Sequence, residues 1–169
     1  MDRAIQTVKD MIFQRGYKNM EENEDYIIGD NRVDKIVFFT QPVSKFNVEQ
    51  SKIFIKRLKN IGINHGIVIY TDNVTSTARK ALITSLEYKI ELFTLTELQF
   101  NLTKHRLVPE HIRLSKTESK IFKSKYNNKW GRFPVILKGD PVSRFYDFCR
   151  GDIIKIIRPG GYVSYRIVK

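Results

Sequence analysis

The sequence has one cysteine, Cys149, only three histidines, and no apolar run long enough to cross a bilayer. A single thiol cannot form an internal disulfide or supply a cysteine-rich zinc site, and it suits a reducing compartment. The N-terminal segment MDRAIQTVKDMIF mixes acidic and apolar residues where a signal peptide runs basic and then apolar, so a soluble, non-secreted protein with no membrane partner is expected. The sequons at Asn73 and Asn101 are then chance matches. His65, His105 and His111 are too scattered for a local metal motif. A phosphate-binding loop is missing as well, because Gly160-Gly161 falls between two expected strands instead of opening a helix. No serine stands in a nucleophile-elbow setting. Neither a catalytic group, a metal, a cofactor nor a small-molecule substrate is expected.

What is present is charge, unevenly placed. With 169 residues and 41% hydrophobic content the chain can bury a core in one ordinary domain or two small ones. The net charge is +12. Met1 to Thr103 holds 14 Lys+Arg against 13 Asp+Glu, whereas Lys104 to Lys169 holds 16 against 5. The basic half fits a nucleic-acid surface, where each neutralised phosphate releases counterions, and equally a solvated face or one matched to an acidic protein partner.

Periodicity places the elements. Ala4, Ile5, Val8, Met11 and Ile12 recur at helical spacing and Gly16 is a stop. Val33 to Thr40 reads as a strand, Val48 to Lys59 as a helix burying Ile55 and Leu58, Gly66 to Tyr70 as a strand, Thr75 to Leu86 as a helix, and Lys89 to Leu95 as a strand. That alternation predicts an α/β unit with a parallel sheet. Past Leu102 the texture changes, giving domains 1–103 and 104–169 with a linker over about 104–114. Ser115-Lys116-Thr117-Glu118 has capping-box spacing and opens a helix running to about Tyr126. Asp140-Pro141 opens another to Phe148. Asp152 to Arg158 and Tyr162 to Val168 form a hairpin about Pro159-Gly160-Gly161. Its strands are apolar on both faces, so either they lie covered on both sides in a small sheet or one face is buried against another protein.

Two constellations invite a functional reading. Asp72 followed by Glu87-Tyr88-Lys89 at a strand start is the pattern with which metal-dependent nucleases hold Mg²⁺ and assist the attacking water. The other reading is a turn aspartate and two surface charges. Aromatic and basic residues interleave in Lys123-Ser124-Lys125-Tyr126, Lys129-Trp130-Gly131-Arg132-Phe133 and Arg144-Phe145-Tyr146, either to stack bases beside phosphates or as core aromatics rimmed by charge.

The run GDPVSRFYDFCRGDIIKIIRPGGYVSYRIV, Gly139 to Val168, resembles the C-terminal pattern of the fifth subunit of eukaryotic RNA polymerases, common to polymerases I, II and III and related to a smaller archaeal polymerase subunit that lacks the jaw. LVPEHIRLSKTE, Leu107 to Glu118, is similar to that family's linker and first helix. QRGY (Gln14 to Tyr17) and VTSTARKAL (Val74 to Leu82) resemble more loosely its eukaryotic jaw domain, so the likeness spans nearly the whole chain. It departs from the family in a short jaw, with material missing between Tyr17 and Val33, and in Ser76 where many relatives carry proline.

The resemblance implies a non-catalytic subunit of DNA-directed RNA polymerase with an N-terminal α/β jaw, nuclease-like in shape without an active site, and a small mixed α/β assembly domain. It implies docking on the largest subunit and contact with other polymerase subunits through Leu107, Pro109, His111, Asp140, Pro141, Arg144, Arg150, Gly151 and Arg166. It places Thr75, Ser76, Thr77 and Arg79 beside downstream duplex DNA. The location it implies is the nucleus for a cellular protein, and the virion or a cytoplasmic factory for a viral one. The rival expectations are a free-standing basic nucleic-acid-binding protein and a metal-dependent nuclease.

Overall fold

In the computed structural model, which describes residues 1–85, 87–126 and 133–169, the chain divides into two units, Met1–Phe100 and Asn101–Lys169. The first contains α1 (Asp2–Gln14), β1 (Asn19–Glu22), β2 (Tyr26–Asp30), β3 (Lys35–Phe46), α2 (Val48–Ile61), β4 (His65–Val74), α3 (Ser76–Thr84) and β5 (Lys89–Thr94). Its sheet has the order β1-β2-β3-β4-β5, antiparallel across the first three strands and parallel across the last three. The sheet is therefore mixed, not wholly parallel. Where the sequence suggested missing material, residues 19–30 form the β1–β2 hairpin, whose polar edge strand NMEE shows no apolar alternation to read. The strand expected at Val33 starts at Lys35 and continues to Phe46, and Leu86 lies outside the described residues.

Alternation on the central strands builds two layers. Val37, Phe39, Val68 and Tyr70 meet Phe54 and Leu58 of α2 and Ala78 of α3. Ile55, expected on that buried side with Leu58, is only partly buried, and Ser51 is buried as well. The opposite residues, Ile36, Phe38, Ile67 and Ile69, are fully buried on the side of α1. There the helix comes so close to β2 that a Cβ on Gly29 would stand 2.5 Å from Ile12 Cγ2. Both crossover helices start on their own caps: Asn47 accepts the Gln50 N–H at 2.9 Å and Thr75 that of Ala78 at 3.3 Å.

A carboxylate ties α1 to the parallel strands. Arg15, just past α1 with its side chain 3% exposed, donates to Glu91 of β5 through Nη1 at 2.7 Å and Nη2 at 2.9 Å. His65 of β4 lies with Nε2 2.6 Å from the same carboxylate. Burial alone would raise the Glu91 carboxyl, but the Arg15 guanidinium and the hydrogen bonds from His65 and Arg15 overcome it and hold the group well below the usual carboxylate range.

The second unit holds a 3-10 turn at Leu102–Lys104, β6 (Glu110–Arg113), α4 (Lys116–Lys125), β7 (Val135–Ile136), α5 (Pro141–Phe145), β8 (Ile153–Ile157) and β9 (Val163–Val168). The sheet order is β6-β8-β9-β7, with only β7 and β9 parallel. The segment expected as a linker thus contributes an edge strand, β6. The capping box forms, Ser115 accepting from Glu118 N at 3.2 Å and Glu118 from Ser115 N at 2.8 Å. Asp140 caps α5 through Val142 N at 2.9 Å, but the helix stops at Phe145, three residues short of the expected Phe148, and Asp147 takes a left-handed φ of 52°.

The β8 strand is central and covered on both sides. Ile154 and Ile156 pack with Ile136, Phe148 and Val168 on one face. Across the other, Phe122 of α4 lies 4.6 Å from the Tyr165 ring of β9 and close to Tyr126 and Phe133. The aromatics of Lys123 to Tyr126 and of Arg144 to Tyr146 are thus core residues rimmed by charge; Lys129, Trp130, Gly131 and Arg132 lie outside the described residues.

Glu91→Gln, which leaves Arg15 buried without its counter-charge, is expected to cost about 3–5 kcal/mol at neutral pH, read from urea unfolding. Because folding depresses the Glu91 pKa, its contribution is complete above the unfolded value of about 4.3 and fades as pH falls below it, so the gap between variant and parent should narrow in acid.

Candidate docking and nucleic-acid surfaces

The residues expected beside DNA lie at one helix start. Thr75 is the N-cap of α3, Ala78 is buried beneath it, and Ser76, Thr77 and Arg79 are exposed. The Thr77 hydroxyl donates to Thr75 Oγ1 at 3.3 Å. Hydroxyls, first-turn N–H groups and a guanidinium at a helix N-terminus can all donate to a phosphate.

The nuclease constellation does not assemble. In the parallel register His65 is opposite Lys89, so Asp72 lies seven residues further along β4. At the rise of an extended strand that is roughly 23 Å from Lys89, far too wide for one metal ion to join the two parts. Asp72 is exposed and accepts from the Thr71 hydroxyl at 3.0 Å, and Glu87 is exposed as well.

The expected docking residues are spread along the second sheet and α5. Leu107, 75% exposed, and Pro109 lead into β6, whose Glu110 is opposite Ile157. His111 Nδ1 donates to the Pro109 carbonyl at 2.7 Å, and burial lowers its pKa against the pull of Asp140, with Arg166 and Arg158 adding to the fall. His111, Asp140 and Arg166 therefore share one electrostatic neighbourhood. Pro141 and Arg144 belong to α5, Arg144 being partly buried. Arg150 and Gly151 sit instead at the start of β8, past the pairing of Arg113 with Ile154. Gly151 takes φ 89° and donates to the Val168 carbonyl at 2.9 Å, a backbone role that needs glycine.

Sequence reasoning missed Arg113, hidden in the supposed linker. Its Nη2 donates to the carbonyls of Asp147 at 2.6 Å and Tyr146 at 3.1 Å, just past α5, and its Nε lies 3.1 Å from Asp152. The guanidinium also stands 5.3 Å from the Phe148 ring. One side chain closes the end of a helix and fixes the entry to β8. The clue was the alternation from Glu110 to Arg113, masked by Pro109 before it.

Clamps and caps consume most of the acid in this unit. Glu118 and Asp140 cap helices, and Asp152 takes Arg113 and the Cys149 N–H. Exposed apolar residues remain beside the basic excess, including Leu107, Ile121, Leu137 and Tyr162.

Comparison with known proteins fits this two-part architecture. The family model described as RNA polymerase Rpb5, C-terminal domain, matches residues 100–168. The Dictyostelium discoideum DNA-directed RNA polymerases I, II, and III subunit rpabc1 is 37% identical over 145 residues, 82% of this chain and 74% of that protein. The subunit RPABC1 proteins of Caenorhabditis briggsae and Caenorhabditis elegans are each 28% identical over 177 residues, 99% of this chain and 84% of theirs. The fold and these likenesses define a non-catalytic subunit of DNA-directed RNA polymerase. The chain belongs to the family of the Rpb5 subunit shared by polymerases I, II and III.

Arg113→Ala is expected to lower the stability of the second unit by about 1–3 kcal/mol, through lost charge-assisted hydrogen bonds at a partly exposed site. Arg113→Lys should recover less than half of that loss, because an ammonium cannot reproduce the fork. Limited proteolysis of the full chain at graded temperature reads both.

Proposed function

We propose that the Asn101–Lys169 unit docks this subunit on the largest polymerase subunit, and that the Met1–Phe100 unit acts as a jaw beside the downstream duplex. The chain associates with other polymerase subunits, and RNA synthesis belongs to the assembled enzyme. The observation that carries the reading is the match of residues 100–168 to the Rpb5 C-terminal domain, over a unit of the same extent. An interface core favours exposed apolar anchors that the unit's own core does not use, and Leu107 and Tyr162 meet that description at 75% and 68% exposure. The polymerases named for its relatives support a nuclear location.

The exposed start of α3 supports the jaw reading. Thr75, Ser76, Thr77 and Arg79 would hold the DNA backbone without reading bases, as a contact to a moving template requires. The free-standing DNA-binding alternative has no comparable support, since the basic unit is the one matched to a polymerase domain.

Leu107→Asp removes an apolar anchor that contributes little to the fold. It is expected to weaken co-purification with the largest subunit about tenfold or more, the scale of an interface hot spot, with the thermal midpoint unchanged. Stoichiometric recovery of the variant would count against docking there. For the jaw, Arg79→Ala should reduce crosslinking to downstream DNA and lower the salt dependence of duplex retention by roughly one ion.

A further inference from the structure

The first unit is nearly neutral as a whole, yet its charge is sorted by place. Residues 19–34, which form the β1–β2 hairpin and the turn after it, hold six acids and one cation, Arg32. The helices α2 and α3 hold six cations and one acid, Glu49. The two helices pack side by side on the same face of the sheet, since both bury their apolar residues in one cluster with β3 and β4. Their outer surfaces therefore look the same way.

On α2, Lys52, Lys56 and Lys59 follow one another at intervals of four and three and are all exposed. On α3, Arg79 and Lys80 are exposed on the adjoining helix. Among the described residues no carboxylate forms an ion pair with any of these five, whereas Lys9, Arg15 and Lys35 all have acidic partners. Arg57 is set apart by its position over the rings of Phe54 and Phe39. At 1.5 Å rise per residue, Lys52 to Lys59 covers about 10 Å, the distance over which one strand of duplex DNA advances three phosphates.

We infer that α2 supplies a second row of phosphate contacts, through Lys52, Lys56 and Lys59, parallel to the contact made by the start of α3. The inference rests on the jaw reading above and extends it from a single helix start to a two-helix surface. Like-charged acids on the hairpin repel the same backbone, so the sorted charge also turns the helical layer toward the duplex. The contacts carry no base recognition and are sensitive to salt.

The test uses assembled polymerase carrying the full-length subunit and a mixed-sequence duplex downstream. Replacing Lys52, Lys56 and Lys59 by Gln should flatten the plot of log affinity against log salt by about 2–3, the value for three lost phosphate contacts. In an otherwise unchanged subunit, a photoreactive side chain at position 56 should crosslink to DNA, a readout that does not depend on how the triple variant folds. Crosslinks from position 56 to protein alone overturn the second row. An unchanged slope in the triple variant together with a loss in Arg79→Ala overturns it too, while leaving the α3 contact standing. If both variants behave as the parent, the jaw reading falls and the inference falls with it.

Discussion

A single buried carboxylate organises the first unit. Glu91 lies on the α1 side of the sheet, opposite Ile67, and takes both arms of the Arg15 guanidinium and the ring nitrogen of His65. An N-terminal helix, a central strand and an edge strand, far apart in sequence, are thereby set in one geometry. Apolar packing of Val8, Met11 and Ile12 would hold α1 against the sheet at many angles; the fork of hydrogen bonds admits few. Whatever α2 and α3 present on the far face is presented by a sheet stiffened from behind.

The second unit answers a question its sequence leaves open. Strands apolar on both faces could have signalled a surface reserved for a partner. Most of that apolar surface is instead closed internally, by Ile136, Phe148 and Val168 on one side and by Phe122 on the other. The surface left for the proposed docking is therefore a set of separated exposed apolar side chains at the sheet margins and on α4, not an open face. Such anchors suit a partner that brings complementary pockets and acidic groups. The basic excess is left largely uncompensated within the unit, because Glu118, Asp140 and Asp152 are occupied with caps and with Arg113.

Elements with strong local codes were legible in the sequence. The helical stripe of α1, the capping box before α4, the Asp-Pro start of α5 and the hairpin about Pro159 all rest on interactions within a few residues. Those that failed depend on distant partners. The β1 strand is polar because it is an exposed edge, and β6 is a strand only because Ile154 to Ile157 pair with it. The α5 helix stops early where Asp147 turns left-handed and Arg113, from a strand, takes the two carbonyls just past its end. For the candidate sites, motif likeness named residues without their grouping: it could not show that Arg150 and Gly151 lie beyond the β6 pairing while His111 lies within it. It could not show that Asp72 and Lys89 stand at opposite ends of the β4–β5 pair either. Register decides both, and register is a property of pairing.

The place of β9 has a further consequence, in the order of events during synthesis. It is the partner of both β8 and β7, and among the described residues β7 pairs with no other strand. It also emerges from the ribosome after every other strand of its sheet. Until then Ile136, Ile154 and Ile156 lack the covering that Val168 gives them. The sheet of the second unit is therefore complete only once β9 is made, and a nascent chain interrupted before that leaves its apolar strands uncovered.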